Sequence, residues 1–142
     1  MSERNSSQDP PLGYKLSTTR GPFTNHNGPY YDKPSESGSY QAFLATARHC
    51  NSFGLVHGGM LSAFLDGLLA AAAARGGRGS PVTMHLSIDF LDMGRAGDWV
   101  LGEARPTRIA REIVFVEGRA HVGGRDLARA SGVFKLMRPR NV

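Results

Sequence analysis

The chain has 142 residues, of which 40% are hydrophobic and 20% are charged, so its length fits one domain and its composition excludes a disordered, collagen-like or coiled-coil chain. The single cysteine, Cys50, excludes an intrachain disulfide and fits a reducing compartment. The net charge of +5 comes from arginines scattered among acids, without a basic run, so no nucleic-acid partner is expected.

The N-terminal segment is poor in apolar residues. Residues 1–38 are rich in Ser, Asn, Pro and Gly, and the first dozen are expected to be disordered. We expect a flexible arm over residues 1–27 and one domain over residues 28–142, with a short strand near Tyr30 and a second strand from Ser39 to about Ala47. No apolar stretch after Met1 resembles a secretory signal, which predicts a cytoplasmic protein.

The segment from Met60 to Ala74 is predicted to be helical. Apolar residues recur at offsets of three, four, seven and eleven positions, which places on one helical face Leu61, Phe64, Leu65, Leu68 and Ala72. The opposite face carries small residues and one charge, Asp66, where a surface helix has lysines and glutamates. We therefore expect a helix over residues 58–75 that is buried nearly all round and is too short to span a membrane, so no membrane partner is expected.

Four strands are predicted after this helix. Residues 82–90 alternate in polarity, which is typical of a strand with one buried face formed by Val82, Met84, Leu86, Ile88 and Phe90. Further strands are expected at about 98–109, 112–122 and 126–137, and their short links favour antiparallel neighbours. The prediction is an α+β architecture, a long central helix wrapped by an antiparallel β-sheet. Because one sheet covers one side of a helix, the sheet must curl or a second copy must cover the other side.

A motif surrounds the start of the helix. An asparagine is followed six residues later by His-Gly-Gly, and an aspartate follows the first glycine by eight residues: Asn51, His57, Gly58, Gly59 and Asp66. This pattern resembles the signature of hotdog-fold acyl-CoA thioesterases of the phenylacetate-degradation type, within the 4-hydroxybenzoyl-CoA thioesterase superfamily. The likeness covers roughly residues 28–137. It implies a hotdog fold, a homodimer or homotetramer (a dimer of dimers) and hydrolysis of an acyl-CoA thioester to a free acid and CoA.

Gly58 and Gly59 begin the predicted helix, where backbone N–H groups lack intrahelical partners and the helix dipole is positive. A residue without Cβ also lets a carbonyl group approach the backbone closely. The resemblance implies that the Gly58 N–H polarises the thioester carbonyl and that Gly59 belongs to the substrate-binding residues. The alternative is that both glycines only permit a tight turn.

Asp66 is the only charged residue from Phe53 through Ala74, and a lone carboxylate on an apolar helix is a functional candidate. The resemblance implies that Asp66 is the nucleophile or the general base for the attacking water, and the sequence leaves both roles open. The alternative is a structural hydrogen bond to a partner subunit.

Three other residues support this site. The resemblance implies that Asn51 holds the carbonyl or the water and that the Thr83 hydroxyl places the water, although Thr83 is equally typical of an ordinary strand. His57 is expected to fix the loop by hydrogen bonding. His49 and Cys50 could suggest a metal with His57, but the second close ligand pair of a structural zinc site is absent, so no metal is expected.

Arg105, Arg108 and Arg111 cluster at the junction of two strands. The resemblance implies that Arg108 and Arg111 contact the phosphates of coenzyme A, which is part of the substrate, and no other cofactor is implied. The alternative is a solvated sheet edge. Two other functions stay open: a non-catalytic acyl-CoA or lipid-binding module, and an acyl-CoA hydratase or dehydratase, which needs a catalytic histidine paired with a carboxylate.

Overall fold

One long helix, α2 (Gly58–Arg75), packs against a seven-stranded antiparallel sheet in the computed structural model, which describes residues 8–18 and 20–138. The other elements are β1 (Lys15–Leu16), α1 (Pro22–Asn27), β2 (Tyr31–Lys33), β3 (Ser39–Leu44), a 3-10 turn (Ala47–His49), β4 (Ser80–Phe90), β5 (Trp99–Ala110), β6 (Ile113–Val122) and β7 (Arg125–Met137). The predicted helix bounds and the three C-terminal strands are confirmed to within about a residue, and β3 ends earlier than expected.

Helix α2 buries one face in the sheet. The buried side chains are Met60, Leu61, Phe64, Leu65, Leu68, Leu69, Ala72 and Ala73. They pack against strands β3 to β7, which curl around the helix, and the expected hotdog architecture is thereby confirmed. The opposite face, formed by Ala63, Asp66, Gly67, Ala70 and Ala74, is half-buried in the single chain, so the helix is not enclosed all round. No helix among the described residues is long and apolar enough to cross a membrane.

The sheet order is β1-β2-β3-β5-β6-β7-β4. Strands β5, β6 and β7 are neighbours in sequence and in space, as their short links predict. The expected run of four consecutive strands is wrong at β4, which pairs with β7 at the far edge of the sheet instead of with β5. The link between β4 and β5, residues 91–98, crosses beside the start of α2, where the Val56 N–H donates to the Gly94 carbonyl at 2.8 Å. A link of this length does not force a hairpin.

Strand β4 contains a β-bulge between Thr83 and His85. Thr83 lies opposite Phe134, which is fully buried, and Leu86 lies opposite Gly132, which is also on the inner face. Because the bulge adds one residue, the residues that face the helix have odd numbers before Met84 and even numbers after it. The predicted buried face is therefore wrong at Val82 and Met84, which are 47% and 62% exposed, and it is also wrong at Phe90, which is 54% exposed at the end of the strand.

Residues 8–18 and 20–27 contain two of the described elements. Strand β1 extends the sheet by pairing Lys15 with Asp32, and Tyr14 beside it is buried. Residues 1–7 of the predicted arm lie outside the described residues, so the arm and its boundary at residue 27 stay predictions.

Candidate active site

The first turn of α2 uses all but one of its backbone donors. His57 is the N-cap residue: its Nδ1 accepts from the Gly59 N–H at 2.8 Å, and its carbonyl accepts from the N–H groups of Met60 and Leu61 at 2.9 and 3.1 Å. The Gly58 N–H has no acceptor among the described residues, and Gly58 is half-buried. A single free donor therefore stands at the positive end of the helix dipole.

Gly59 has a steric role in this turn. A Cβ at Gly59 would lie 2.9 Å from the His57 Nδ1, closer than real Cβ contacts come. Glycine therefore makes room for the His57 ring to cap the helix. Because the Gly59 N–H is already bound to His57, its direct donation to a substrate would require His57 to release it. The loop-fixing role expected for His57 agrees with this geometry.

Asn51 lies in the loop before α2, and its side chain is exposed. Its Oδ1 accepts from the N–H groups of Phe53 and Leu55 at 2.9 and 3.1 Å, an arrangement that fixes the turn. The Nδ2 amide of Asn51 has no acceptor in the part of the chain that the structure describes. Asn51 can therefore donate to a ligand without giving up its structural bonds.

Asp66 and Thr83 form the second part of the site. Asp66 lies on the half-buried face of α2, and its Oδ1 accepts from the Thr83 hydroxyl at 2.6 Å. The β4 bulge makes this contact possible, because without it Thr83 would face the outer side of the sheet. One carboxylate oxygen of Asp66 is thereby held in place while Oδ2 is left for another partner.

Gly58 and Asp66 are separated within one chain. Eight residues of α-helix correspond to about 12 Å along the axis, so one small reacting group cannot touch both the Gly58 N–H and the Asp66 carboxylate of the same chain. The structure therefore places the predicted site residues in two groups within one chain, which we call half-sites: Gly58 with Asn51, and Asp66 with Thr83.

Two of the arginines named from the sequence, Arg108 and Arg111, lie near the other end of the helix. The side chain of Ile109, near the end of β5, approaches Gly76, the residue that ends α2. Arg108 and Arg111 are exposed there, and Arg105 forms an ion pair with Glu117 at 2.9 Å. Within one chain Arg108 and Arg111 are remote from the Gly58 turn, since α2 is 18 residues long, or about 27 Å.

Two features of the site were not identified from the sequence. The Phe90 ring lies over Gly58, 3.6 Å from where a Cβ on Gly58 would be, and it is 54% exposed. His49 is buried at 4% exposure, and burial lowers the pKa of its imidazole. The alternation of β4 predicts an ordinary core position for Phe90, and the sequence offers His49 only as a possible metal ligand. No group of three His, Cys, Asp or Glu side chains that could hold a metal occurs in residues 8–18 and 20–138.

A long helix wrapped by an antiparallel sheet defines a protein of the hotdog fold. The family model of the thioesterase superfamily matches residues 53–129, more than half of the chain. The chain belongs to the thioesterase superfamily. This membership supports thioester hydrolysis as its general activity.

Individual proteins are similar over most of their length. A Pseudomonas aeruginosa protein named "Putative esterase PA0474" is 33% identical over 129 residues, which are 89% of this chain and 96% of that protein. The TT0310 protein of Thermus thermophilus is 25% identical, with a TM-score of 0.76 over 84% of this chain and 100% of its own. A Ralstonia eutropha JMP134 protein described as "a putative thioesterase, phenylacetic acid degradation-related protein" is also 25% identical, with a TM-score of 0.75 over 83% of this chain and 92% of its own.

Proposed function

We propose that the chain is an acyl-CoA thioesterase, which hydrolyses an acyl-CoA thioester to a free acid and CoA. The observation that carries this proposal is the unpaired Gly58 N–H at the start of α2. A preorganised donor of this kind stabilises the negative charge that develops on a carbonyl oxygen, and removal of such a donor typically costs about 10²- to 10³-fold in turnover. The free Nδ2 of Asn51 supplies a second donor on the same loop.

The Asp66 carboxylate has two routes to the thioester. As a general base, Oδ2 takes a proton from water while the water oxygen attacks the carbonyl carbon, and the tetrahedral intermediate then expels the CoA thiolate, which receives that proton. As a nucleophile, Oδ2 attacks the carbonyl and releases the thiolate, and water then hydrolyses the mixed anhydride. In both routes the Thr83 hydroxyl, 2.6 Å from Oδ1, orients the carboxylate.

The separation of the half-sites supports a site shared between two copies of the chain. The thioester carbonyl would accept hydrogen bonds from Gly58 and Asn51 of one subunit. Asp66 of the other subunit, oriented by Thr83, would supply the general base or the nucleophile. A two-fold axis makes both combinations equivalent, so a dimer would contain two such sites.

The free edge of β4 supports the dimer. Among the described strands, β4 pairs only with β7, so its 11 residues leave one edge open. Val82, Met84 and Phe90 on this strand are between 47% and 62% exposed. A long apolar edge strand of this kind normally pairs or is protected. Antiparallel pairing with the β4 of a second copy would continue the sheet and bring the half-buried faces of the two α2 helices together, and two such dimers could assemble further.

The remaining expectations follow from this proposal. CoA enters as part of the substrate, and Arg108 and Arg111 of either subunit are the residues that we propose for its phosphates, since both are exposed and neither is held in an ion pair within the described residues. A cytoplasmic location is part of the same proposal. A hydratase is disfavoured because no histidine in the described ranges is hydrogen-bonded to a carboxylate.

The test compares three proteins, the parent, Gly58→Pro and Gly58→Ala. Each is given a panel of acyl-CoAs of different acyl size, and the release of free thiol is measured. Proline is favoured at the first position of a helix, and His57, with φ −64° and ψ 137°, has the backbone that precedes proline. Gly58→Pro should therefore fold normally while removing only the unpaired N–H, and turnover should fall about 10²-fold or more.

Gly58→Ala is the matched control, because it keeps the N–H and its Cβ meets the Phe90 ring at an ordinary 3.6 Å. It should retain much more activity than the proline variant. Equal activity of Gly58→Pro and the parent would contradict the proposal. Saturable binding of acyl-CoA without turnover on any member of the panel would favour the binding module.

A further inference from the structure

A short hairpin, residues 49–57, carries one of the two half-sites. The His57 N–H donates to the His49 carbonyl at 2.9 Å, and the Asn51 N–H donates to the Leu55 carbonyl at 2.8 Å. Cys50 and Val56 form a β-bridge between these two bonds. His57 is the N-cap of α2, so the direction of the Gly58 N–H depends on where this hairpin is held.

The His49 side chain fixes the base of the 49–57 hairpin. Its Nε2 lies 2.6 Å from the Asn27 carbonyl oxygen, and its Nδ1 accepts from the Thr46 N–H at 3.1 Å. Since a carbonyl only accepts, Nε2 must carry the proton, and these two partners together define a neutral imidazole of one tautomer. The ring packs edge-on against Phe43, with centroids 5.3 Å apart, and Phe43 is fully buried.

The partner of His49 belongs to the N-terminal part of the chain. Asn27 is the last residue of α1, and the neighbouring Arg48 donates to the carbonyl of His26 at 2.6 Å and to the carbonyl of Gly28. Three consecutive carbonyl groups, those of residues 26–28, are therefore bound by two consecutive side chains. This contact joins the end of α1 to the hairpin and, through His57, to the Gly58 turn.

We propose that His49 is a positioning residue for the Gly58 turn, and that residues 26–28 act through it as an outer brace of the 49–57 hairpin. His49 touches no reacting atom. It orients the Gly58 N–H and the Asn51 amide by holding the hairpin between the core at Phe43 and the end of α1. The catalytic consequence rests on the proposed function, whereas the mechanical consequence, a hairpin that loosens without His49, does not.

The test uses two conservative variants that each keep half of the histidine's hydrogen bonding. In His49→Asn the side-chain oxygen can accept from the Thr46 N–H, but the side chain does not reach the Asn27 carbonyl. In His49→Gln the side-chain amide can donate to the Asn27 carbonyl, but the Thr46 N–H loses its acceptor. Each variant should lower kcat about five- to tenfold with KM changed by less than about twofold, because the loss of one hydrogen bond misdirects a donor that acts in the transition state.

Two further variants separate positioning from simple loss of stability. Arg48→Ala removes the second contact to residues 26–28 from an exposed position, and it should lower kcat in the same direction but less. His121→Asn changes a second histidine, which is half-buried on β6 and whose Nδ1 has no hydrogen-bond partner among the described residues. It should alter stability without altering kcat.

Amide hydrogen exchange of the same proteins gives a readout that needs no enzymatic activity. The His49 variants should speed exchange in residues 22–28 and 49–60 and leave β5 to β7 unchanged, since locally opened segments exchange independently of the core. Parent-like exchange in the hairpin, or an unchanged kcat in folded His49 variants, would overturn the proposal. If the parent hydrolyses no acyl-CoA, the proposed function fails while the exchange result still decides the role of His49.

Discussion

The two glycines of the His-Gly-Gly motif have different tasks. Gly58 supplies a free N–H, and Gly59 supplies the space that lets the His57 ring reach back to cap the helix. A cap of this kind stabilises a helix by about 0.5–2 kcal/mol, and here it also removes the competing donors around Gly58. His57 therefore satisfies the neighbouring N–H groups, and among the described residues the Gly58 N–H is the one donor of this turn without an acceptor.

The carboxylate of Asp66 permits a direct test at the scale of one residue. Asp66→Asn keeps the size of the side chain and can still accept from Thr83, but it removes the charge needed by a base or a nucleophile. Turnover should fall by at least about 10²-fold, with fold and oligomeric state unchanged. Free-thiol release, thermal unfolding and light scattering measure these three quantities.

Asp89→Asn is the control for this change, because Asp89 lies on the same strand as Thr83 but faces the outer side of the sheet, away from α2. It should leave turnover near that of the parent. If Asp66→Asn loosened the oligomer and lost activity only in proportion to folded protein, a structural carboxylate would be the better description.

The motif predicts the candidate site residues but not the contacts that distant segments of the chain make around them. Asn51, Gly58 and Asp66 are candidates because the pattern around the start of the helix resembles the signature of the acyl-CoA thioesterases. Their division into two half-sites follows from the rise of the helix, which the spacing also contains. The roles of His49 and Phe90 could not be predicted, since both depend on contacts between segments that are far apart in sequence.

At the scale of elements, β4 shows where pattern reasoning is insufficient. Regular alternation from Val82 to Phe90 predicts one continuous buried face, yet the bulge at Met84 changes the face in the middle of the strand. Polarity alone does not show a bulge, because Thr83 and His85 look like ordinary outward residues on either side of it. The same bulge directs Thr83 to Asp66, so the pattern fails at a residue of the proposed site.

The open edge of β4 gives a prediction about assembly. Met84 is 62% exposed on this strand, and a lysine there should oppose pairing with a second copy because edge lysines protect strands from association. Met84→Lys should shift the protein toward the 15.3 kDa monomer and lose activity together with the dimer, as measured by sedimentation velocity and thiol release.

Leu12→Lys is the matched control for this substitution, since Leu12 is 99% exposed and precedes β1. It should change neither assembly nor activity. A parent protein that is already monomeric at micromolar concentration, with full activity, would contradict the pairing through β4.

For the whole molecule, two histidines make the stability depend on pH. Burial is the main cause that lowers the pKa values of His49 and His121 below the ordinary 6.5. The unfolded chain therefore binds more protons than the folded chain between the folded pKa values and 6.5, so the free energy of unfolding rises with pH in that window. The contribution of the two histidines to the free energy of unfolding should be fully present above about pH 6.5 and should decrease as the pH falls toward 5.

Denaturant unfolding at pH 7.5, 6 and 5 and at one protein concentration measures this effect, since dissociation of an oligomer would otherwise contribute. Asp92 and Asp126 also have lowered pKa values, but their contribution is lost only below about 3.8 and does not interfere. The double variant His49→Asn with His121→Asn should flatten the curve, and an unchanged slope would assign the effect to other groups.

The strongest test of the whole assembly mixes two inactive proteins. In a heterodimer of Asp66→Asn and Gly58→Pro, one site combines Gly58 of the first chain with Asp66 of the second, and both residues are intact. The other site carries both substitutions. Random association makes about half of the dimers heterodimers, each with one intact site of two, and the mixture should recover about a quarter of the parent turnover. Co-expression with two separable tags provides the mixture, and each variant alone provides the baseline. Sites confined to single chains would recover nothing, because every chain in the mixture carries one of the two defects.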